Sequence, residues 1–291
     1  MNALECKAYL ERIGYQEEPH TDKDCLEKLM ELQLQSVPFE NLEVFKEKRV
    51  PSLKTEDIFH KIVHQERGGC CFELNKIFYE LLKGLGFDVT PLAIRMLWSP
   101  DDFRRILHRA TMVVLEDGPY YCDVGYGGPG PRYPVKLEDG LHTEKNGTFR
   151  VTMEPQGTNG EILMERKQDG EYRPLMSFTL HPAQDVDFEV LNYYCSTSPD
   201  MWLTQKNGGQ HQHTYRKRCP YRRHAHHPER RRQHRKPRLR FARNRENLAQ
   251  DLFWTVIDNV EQTGEHKFPG SFLHMEKQGP QRTSRCGPCP K

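Results

Sequence analysis

Apolar and polar positions alternate in two regimes along this chain and then lose all period. Up to about residue 88 the apolar residues recur at helical spacing. Positions 7–13 form a short amphipathic start. Leu26, Leu29, Met30 and Leu34 share one helix face, with Thr21 or Asp22 placed to cap it. Pro38 breaks that run. Thr55 is placed to cap a further helix with Ile58, Phe59, Ile62 and Val63 on its inner face. Leu74, Ile77, Phe78, Leu81 and Leu82 mark the next, and Gly84 and Gly86 stop it. Short links between three or four helices predict a small bundle. Beyond residue 88 the period becomes two. Strands are expected at 89–97, 110–115, 120–124, 149–153, 162–166 and 175–180. Glycine-bearing turns such as Glu116-Asp117-Gly118, Asn146-Gly147 and Asp169-Gly170 separate them. Short strands with glycine turns predict an antiparallel barrel or sandwich. From Asn207 the alternation collapses into an Arg/His-rich run, and residues 246–262 regain only a weak helical stripe.

Charge changes the picture only at that collapse. The net charge of +2 conceals a split. Residues 211–245 hold 14 lysines and arginines against one acid, Glu229, while the rest of the chain holds 29 basic and 40 acidic residues. An acidic protein carries one basic insert, so the mean charge misstates its partners. No apolar run reaches the roughly 18 residues that a membrane helix needs. The N-terminus lacks the basic-then-apolar layout of a secretory signal, and the nine cysteines are an odd, scattered set. Free thiols in a cytoplasmic protein are the expectation, with no membrane partner. Cys219 with His224, His226 and His227 lacks zinc spacing, and Cys286-Gly287-Pro288-Cys289 lacks the strand and helix of a redox motif. No metal is expected.

The chemistry concentrates at Arg67-Gly68-Gly69-Cys70-Cys71-Phe72-Glu73-Leu74-Asn75. A glycine turn runs into a helix there, placing Cys71 in the first turn, where free N–H groups and the helix dipole favour an anion. A thiol so placed is expected to titrate below its free value of about 8.5 and to rest as a thiolate. A thiol nucleophile needs a base and a group that orients the base. His108 heads one strand-like run and Asp123 ends the next. The turn at 116–118 makes these a hairpin that brings the two side chains close. On the residues alone, each of the three also reads as an ordinary core, surface or turn position.

These segments together resemble the arylamine N-acetyltransferases. Arg-Gly-Gly-x-Cys at 67–71 resembles that family's active-site signature. Tyr9-Leu10-Glu11-Arg12-Ile13-Gly14-Tyr15, Val37-Pro38-Phe39-Glu40-Asn41-Leu42, Asp123-Val124-Gly125-Tyr126-Gly127-Gly128 and Asn192-Tyr193-Tyr194-Cys195-Ser196-Thr197-Ser198-Pro199 resemble its other motifs, in order, over about residues 1–206. The resemblance implies an α+β fold: a helical bundle (1–88), an antiparallel β-barrel (89–195), and a cysteine-protease-like Cys-His-Asp core. It implies acetyl transfer from acetyl-CoA to arylamines, hydrazines or N-hydroxyarylamines through an acetyl-cysteine, in ping-pong order. Cys71 takes the acetyl group, His108 activates it and Asp123 orients His108. Phe39, Trp98 and Tyr126 are expected to wall the aromatic amine, Gly127 and Gly128 to admit the CoA pyrophosphate, and Arg67 to pair with Glu40.

Three departures qualify that expectation. Cys70 stands where the family usually has a large aromatic residue, and Tyr126 where it has Phe. After Lys206 the family pattern gives way, without a linker, to the basic run, so that 196–291 is expected to be an atypical or disordered remnant of the domain that closes over CoA. A shift of reading frame near 206–208 accounts for the jump. The rival readings are an inactive frame-shifted product that binds polyanions nonspecifically through 211–245, as charge alone would make it do, and a thiol hydrolase with the same triad.

Overall fold

The computed structural model describes residues 1–97, 105–155 and 160–205, together with a short strand at 209–210. Trp98 and the expectations for 211–291, the basic segment included, lie outside the described residues.

The helical half opens with α1 (Ala3–Ile13). It starts earlier than its apolar stripe suggests because Asn2 and Glu5 form a capping box. The Asn2 side chain accepts from the N–H groups of Leu4 and Glu5 at 3.0 Å each, and Glu5 accepts from the Asn2 N–H at 2.8 Å. Asp22 caps α2 (Lys23–Ser36), accepting from the Cys25 N–H at 2.9 Å. A two-residue strand β1 (Phe39–Glu40) and a single turn α3 (Leu42–Phe45) follow. α4 (Thr55–Phe59) continues as a π-helical turn, His60–His64. Thr55 is not its cap: it is the first helical residue, and the cap position is Lys54, whose side chain makes no capping bond. α5 (Cys71–Gly84) runs through the middle of this half, with ten of its residues buried. Its last glycine lets α1 approach, since a Cβ there would stand 2.5 Å from the Cys6 sulfur.

The second half is an antiparallel sheet of eight strands: β2 (Asp88–Met96), β3 (Ile106–Leu115), β4 (Gly118–Cys122), β5 (Val135–Lys136), β6 (Gly140–Glu144), β7 (Gly147–Thr152), β8 (Ile162–Gln168) and β9 (Glu171–Phe178). Their spatial order is β5-β4-β3-β2-β9-β8-β7-β6, and the sheet curls into a near-closed barrel. The Asp169-Gly170 turn between β8 and β9 has both φ values positive, 49° and 90°, as a two-residue hairpin that follows the strand twist requires. Alternation along β4 divides two cores. Tyr121 points into the barrel with Ile94, Phe149, Met164 and Phe178, while Tyr120 and Cys122 face the helices with Phe72, Ile77 and Leu81. Each such buried Phe or Leu contributes about 1.5–3 kcal/mol.

The chain then forms α6 (Asp185–Thr197) and α7 (Trp202–Gln205), and a strand β10 (Gly209–Gln210) pairs with β1. Phe188 and Cys195 of α6 join the helical core. Among the described residues no helix is long and apolar enough to cross a membrane.

Candidate active site

The site is assembled around the turn that enters α5. Gly68 is required there because a Cβ would stand 1.9 Å from the Pro38 carbonyl oxygen. The Gly69 carbonyl accepts from the Glu40 N–H at 2.9 Å, which lays β1 beside the turn. Beneath it sits a buried charge cluster. Arg67 donates from Nε and Nη2 to Glu40 Oε1 at 3.2 and 2.8 Å, as expected from the sequence. Lys61 Nζ lies 2.8 Å from Glu73 Oε1 and 3.1 Å from Glu43 Oε1. The other Glu73 oxygen accepts from the Cys70 N–H at 3.0 Å. Burial pushes the Glu73 carboxyl up even with Lys61 opposing it. Lys61 ends above its ordinary value because the facing carboxylates outweigh its own burial.

Across from this turn, β3 and the residue that follows β4 supply two more groups. His108 Nε2 and Asp123 Oδ2 are 2.7 Å apart, and both side chains are buried. Asp123 is a fully engaged acceptor. Oδ2 also takes the Tyr121 hydroxyl at 2.8 Å, and Oδ1 takes Asn75 Nδ2 at 2.8 Å and the Gly125 N–H at 2.9 Å. Burial alone would raise this carboxyl. The facing His108, then the bonds from His108, Asn75 and Gly125, hold it below the usual carboxylate range. The loop carrying Asp123 touches the nucleophile's helix. A Cβ on Gly125 would stand 3.0 Å from both Cα and O of Cys71 and 2.9 Å from Asn75 Nδ2. With Nε2 engaged by the carboxylate, Nδ1 is the ring nitrogen left to serve as a base.

Opposing influences meet at Cys71. Its thiol is pushed well above its ordinary value, first by a hydrogen bond with the Cys70 sulfur, then by burial, and further by Cys195 and Asp123. The helix start favours an anion at this sulfur, while burial among other sulfurs opposes it. All six described cysteines are free.

The remaining expected residues fall around the same loop. The Tyr126 ring stands edge-on to His108, with centroids 5.7 Å apart. Gly127 adopts φ +70°, and a Cβ on it would stand 2.9 Å from the Phe39 ring, so packing and backbone account for that glycine. Gly128 follows it, half-buried. Phe39 stacks on Trp202 at 5.8 Å. Sequence reading missed Asn75, Tyr121 and Trp202. Asn75 carried a signal: it is a polar residue four positions after Cys71, on the buried side of an otherwise apolar helix.

A family model described as N-acetyltransferase matches residues 22–258, running past Lys206. The arylamine N-acetyltransferase of Mycolicibacterium smegmatis is 33% identical over 203 residues, covering 68% of this chain and 72% of that protein. Arylamine N-acetyltransferase 2 of Mus musculus is 31% identical over 222 residues, covering 70% and 76%. Among solved structures, the Mycobacterium marinum arylamine N-acetyltransferase in complex with CoA superposes with a TM-score of 0.62 at 28% identity, covering 68% of this chain and 73% of that one. With a matching family model over most of its length and relatives at this identity and coverage, the chain belongs to the arylamine N-acetyltransferase family.

Proposed function

We propose that this protein transfers acetyl groups from acetyl-CoA to an aromatic amine, hydrazine or N-hydroxyarylamine, with Cys71 as nucleophile, His108 as base and Asp123 as orienting carboxylate. The observation that carries this reading is the buried 2.7 Å His108–Asp123 bond on a loop that lies against Cys71. His108 Nδ1 takes the Cys71 proton as the sulfur bonds to the thioester carbonyl carbon. The carbon–sulfur bond to CoA then breaks, and the imidazolium returns the proton to the leaving CoA sulfur. Asp123 stabilises the imidazolium through Nε2–H without taking its proton. In the second half-reaction His108 removes a proton from the amine as its nitrogen bonds to the acetyl carbon, and Cys71 departs with that proton. The Cys71 N–H, in the first turn of α5, is placed to donate to the oxyanion.

Phe39 and Tyr126 are assigned to the wall facing a flat aromatic ring, and Gly127-Gly128 to the backbone approached by the CoA pyrophosphate. A cytoplasmic location fits six free thiols among the described residues. The test is direct. Purified protein given acetyl-CoA alone should release one equivalent of CoA and carry one acetyl group on the peptide containing Cys71, and added arylamine should remove it as the amide. Acetate released without amide formation would make the protein a hydrolase. No acetyl-protein and no turnover would make it the inactive reading. Cys71→Ser should abolish both steps.

A further inference from the structure

We propose that Asn75 is a positioning residue of this site: its carboxamide, one helical turn beyond the nucleophile, fixes Asp123 and through it His108. The inference rests on the assignment of Cys71, His108 and Asp123 made above.

Asparagine is a poor interior helix residue, and its amide is costly to bury unless satisfied. Asn75 lies inside α5 at 1% exposure. Its carboxamide is used on both ends. Nδ2 donates to the Arg109 carbonyl at 2.5 Å and to Asp123 Oδ1 at 2.8 Å, and Oδ1 accepts from the Val124 N–H at 2.9 Å. The partners settle which end of the amide is which, since a carbonyl and a carboxylate face one side and an N–H the other. Each partner adjoins or belongs to the catalytic set. Arg109 follows His108 on β3, Asp123 is the carboxylate, and Val124 follows it. Residues four apart on a helix stack on one face, so Asn75 sits directly behind Cys71. One amide thereby ties the three segments that carry nucleophile, base and orienter.

The carboxylate needs this partner for a second reason. Oδ2 is engaged by His108 and Tyr121, so the plane of the carboxylate is set by what holds Oδ1. Gly125 holds it through the loop itself. Asn75 is the one side chain among the described residues hydrogen-bonded to Oδ1, and it reaches from a different element. A leucine there would leave the Val124 N–H and the Arg109 carbonyl unpaired. An aspartate would set one buried carboxylate against another, and such a pair takes up a proton as pH falls more readily than either carboxyl would alone.

That last point supplies a test that packing alone does not mimic. The full-length wild type, Asn75→Asp and Asn75→Leu are compared for the rate of Cys71 alkylation by iodoacetamide and for acetyl transfer, between about pH 6 and 8.5. Melting temperature is recorded beside each rate. Asn75→Asp should lose about tenfold or more near pH 8, the size expected when a charged acceptor loses a donor. Its rate relative to wild type should recover as pH falls, because the introduced acid, once protonated, again offers a hydrogen to Asp123. Asn75→Leu has nothing to titrate. Its relative rate should stay low across the range. Equal, pH-independent losses in the two variants, or rates within about twofold of wild type, would overturn the proposal. If Asn75→Asp does not fold, Asn75→Leu decides alone: shown folded by its melting temperature, it must still lose about tenfold or more in both rates. Turnover surviving in Cys71→Ser would instead strike the catalytic assignment, leaving the two failures distinguishable.

Discussion

Adding one methyl group at Gly125 should separate the site from the fold that carries it. The φ of Gly125 lies outside the left-handed region, so its backbone accepts alanine, and the methyl itself is the whole perturbation. That methyl would stand 2.9 Å from Asn75 Nδ2 and 3.0 Å from Cα and O of Cys71, where ordinary contact begins at 3.4 Å. Two of the three atoms are helix backbone, and the third is held by two hydrogen bonds, so none can swing aside. The loop must therefore retreat by about half an ångström to restore normal contact. Asp123, two residues earlier, moves with it, and the 2.7 Å bond to His108 lengthens or tilts. Overpacking of this size costs about 1–3 kcal/mol, and each kcal/mol lowers the melting temperature by about 2–4 °C in a chain of this length. The catalytic loss should be larger, on the order of 10- to 100-fold, because a displacement of about 1 Å can cost 100-fold. Gly140→Ala is the control, since no heavy atom lies within 4 Å of its added Cβ. It should stay within about 0.5 kcal/mol of wild type. Stopped-flow release of CoA in a single turnover, read beside thermal denaturation, measures both effects. A Gly125→Ala protein whose acetylation rate and melting curve match those of Gly140→Ala would refute the claim that this loop is seated against the nucleophile.

What the sequence disclosed follows from which forces leave a periodic trace. The hairpins were legible because Asp169-Gly170 and Asn146-Gly147 announce their turns and Phe149 and Val151 alternate with polar neighbours. Strands β5 and β6 were not. Val135-Lys136 is too short for a period, and Leu141, exposed at 64%, offers no inward stripe. The helix α6 was hidden for the same reason. Val186, Val190 and Tyr193 are exposed, so its apolar residues lie on more than one face. At the site, Cys71, His108 and Asp123 were singled out through the family resemblance, since on the residues alone each also reads as an ordinary position. The surroundings of the Cys71 thiol could not be read, because they include sulfurs contributed by a neighbour and by α6. Asn75 and Tyr121 escaped notice because a hydrogen-bonding role depends on what the side chain faces, and only the packing of α5 against β3 and β4 settles that.

Further expectations follow from the same geometry. Cys70→Ala removes the hydrogen bond that is the largest cause holding the Cys71 thiol up, so iodoacetamide should alkylate Cys71 faster at neutral pH, and an unchanged rate would count against that cause. Asp123→Asn preserves shape but presents an amide to His108, favouring the wrong tautomer. Steady-state kinetics should show kcat down about 1,000-fold or more with KM little altered. Lys61→Met leaves the buried Glu73 without a cation and Glu43 with only the longer contacts to Arg49 and Arg67, and should destabilise the fold by about 3–5 kcal/mol in denaturant titrations at neutral pH. The sign of its pH dependence follows from Glu73. Burial already places that carboxyl above its ordinary value, so the folded state binds its proton before the unfolded chain does, and losing Lys61 raises it further. Stability relative to wild type should therefore recover as pH falls toward the carboxylate range, and a deficit that stays constant or grows on acidification would mean that Lys61 does not neutralise this cluster.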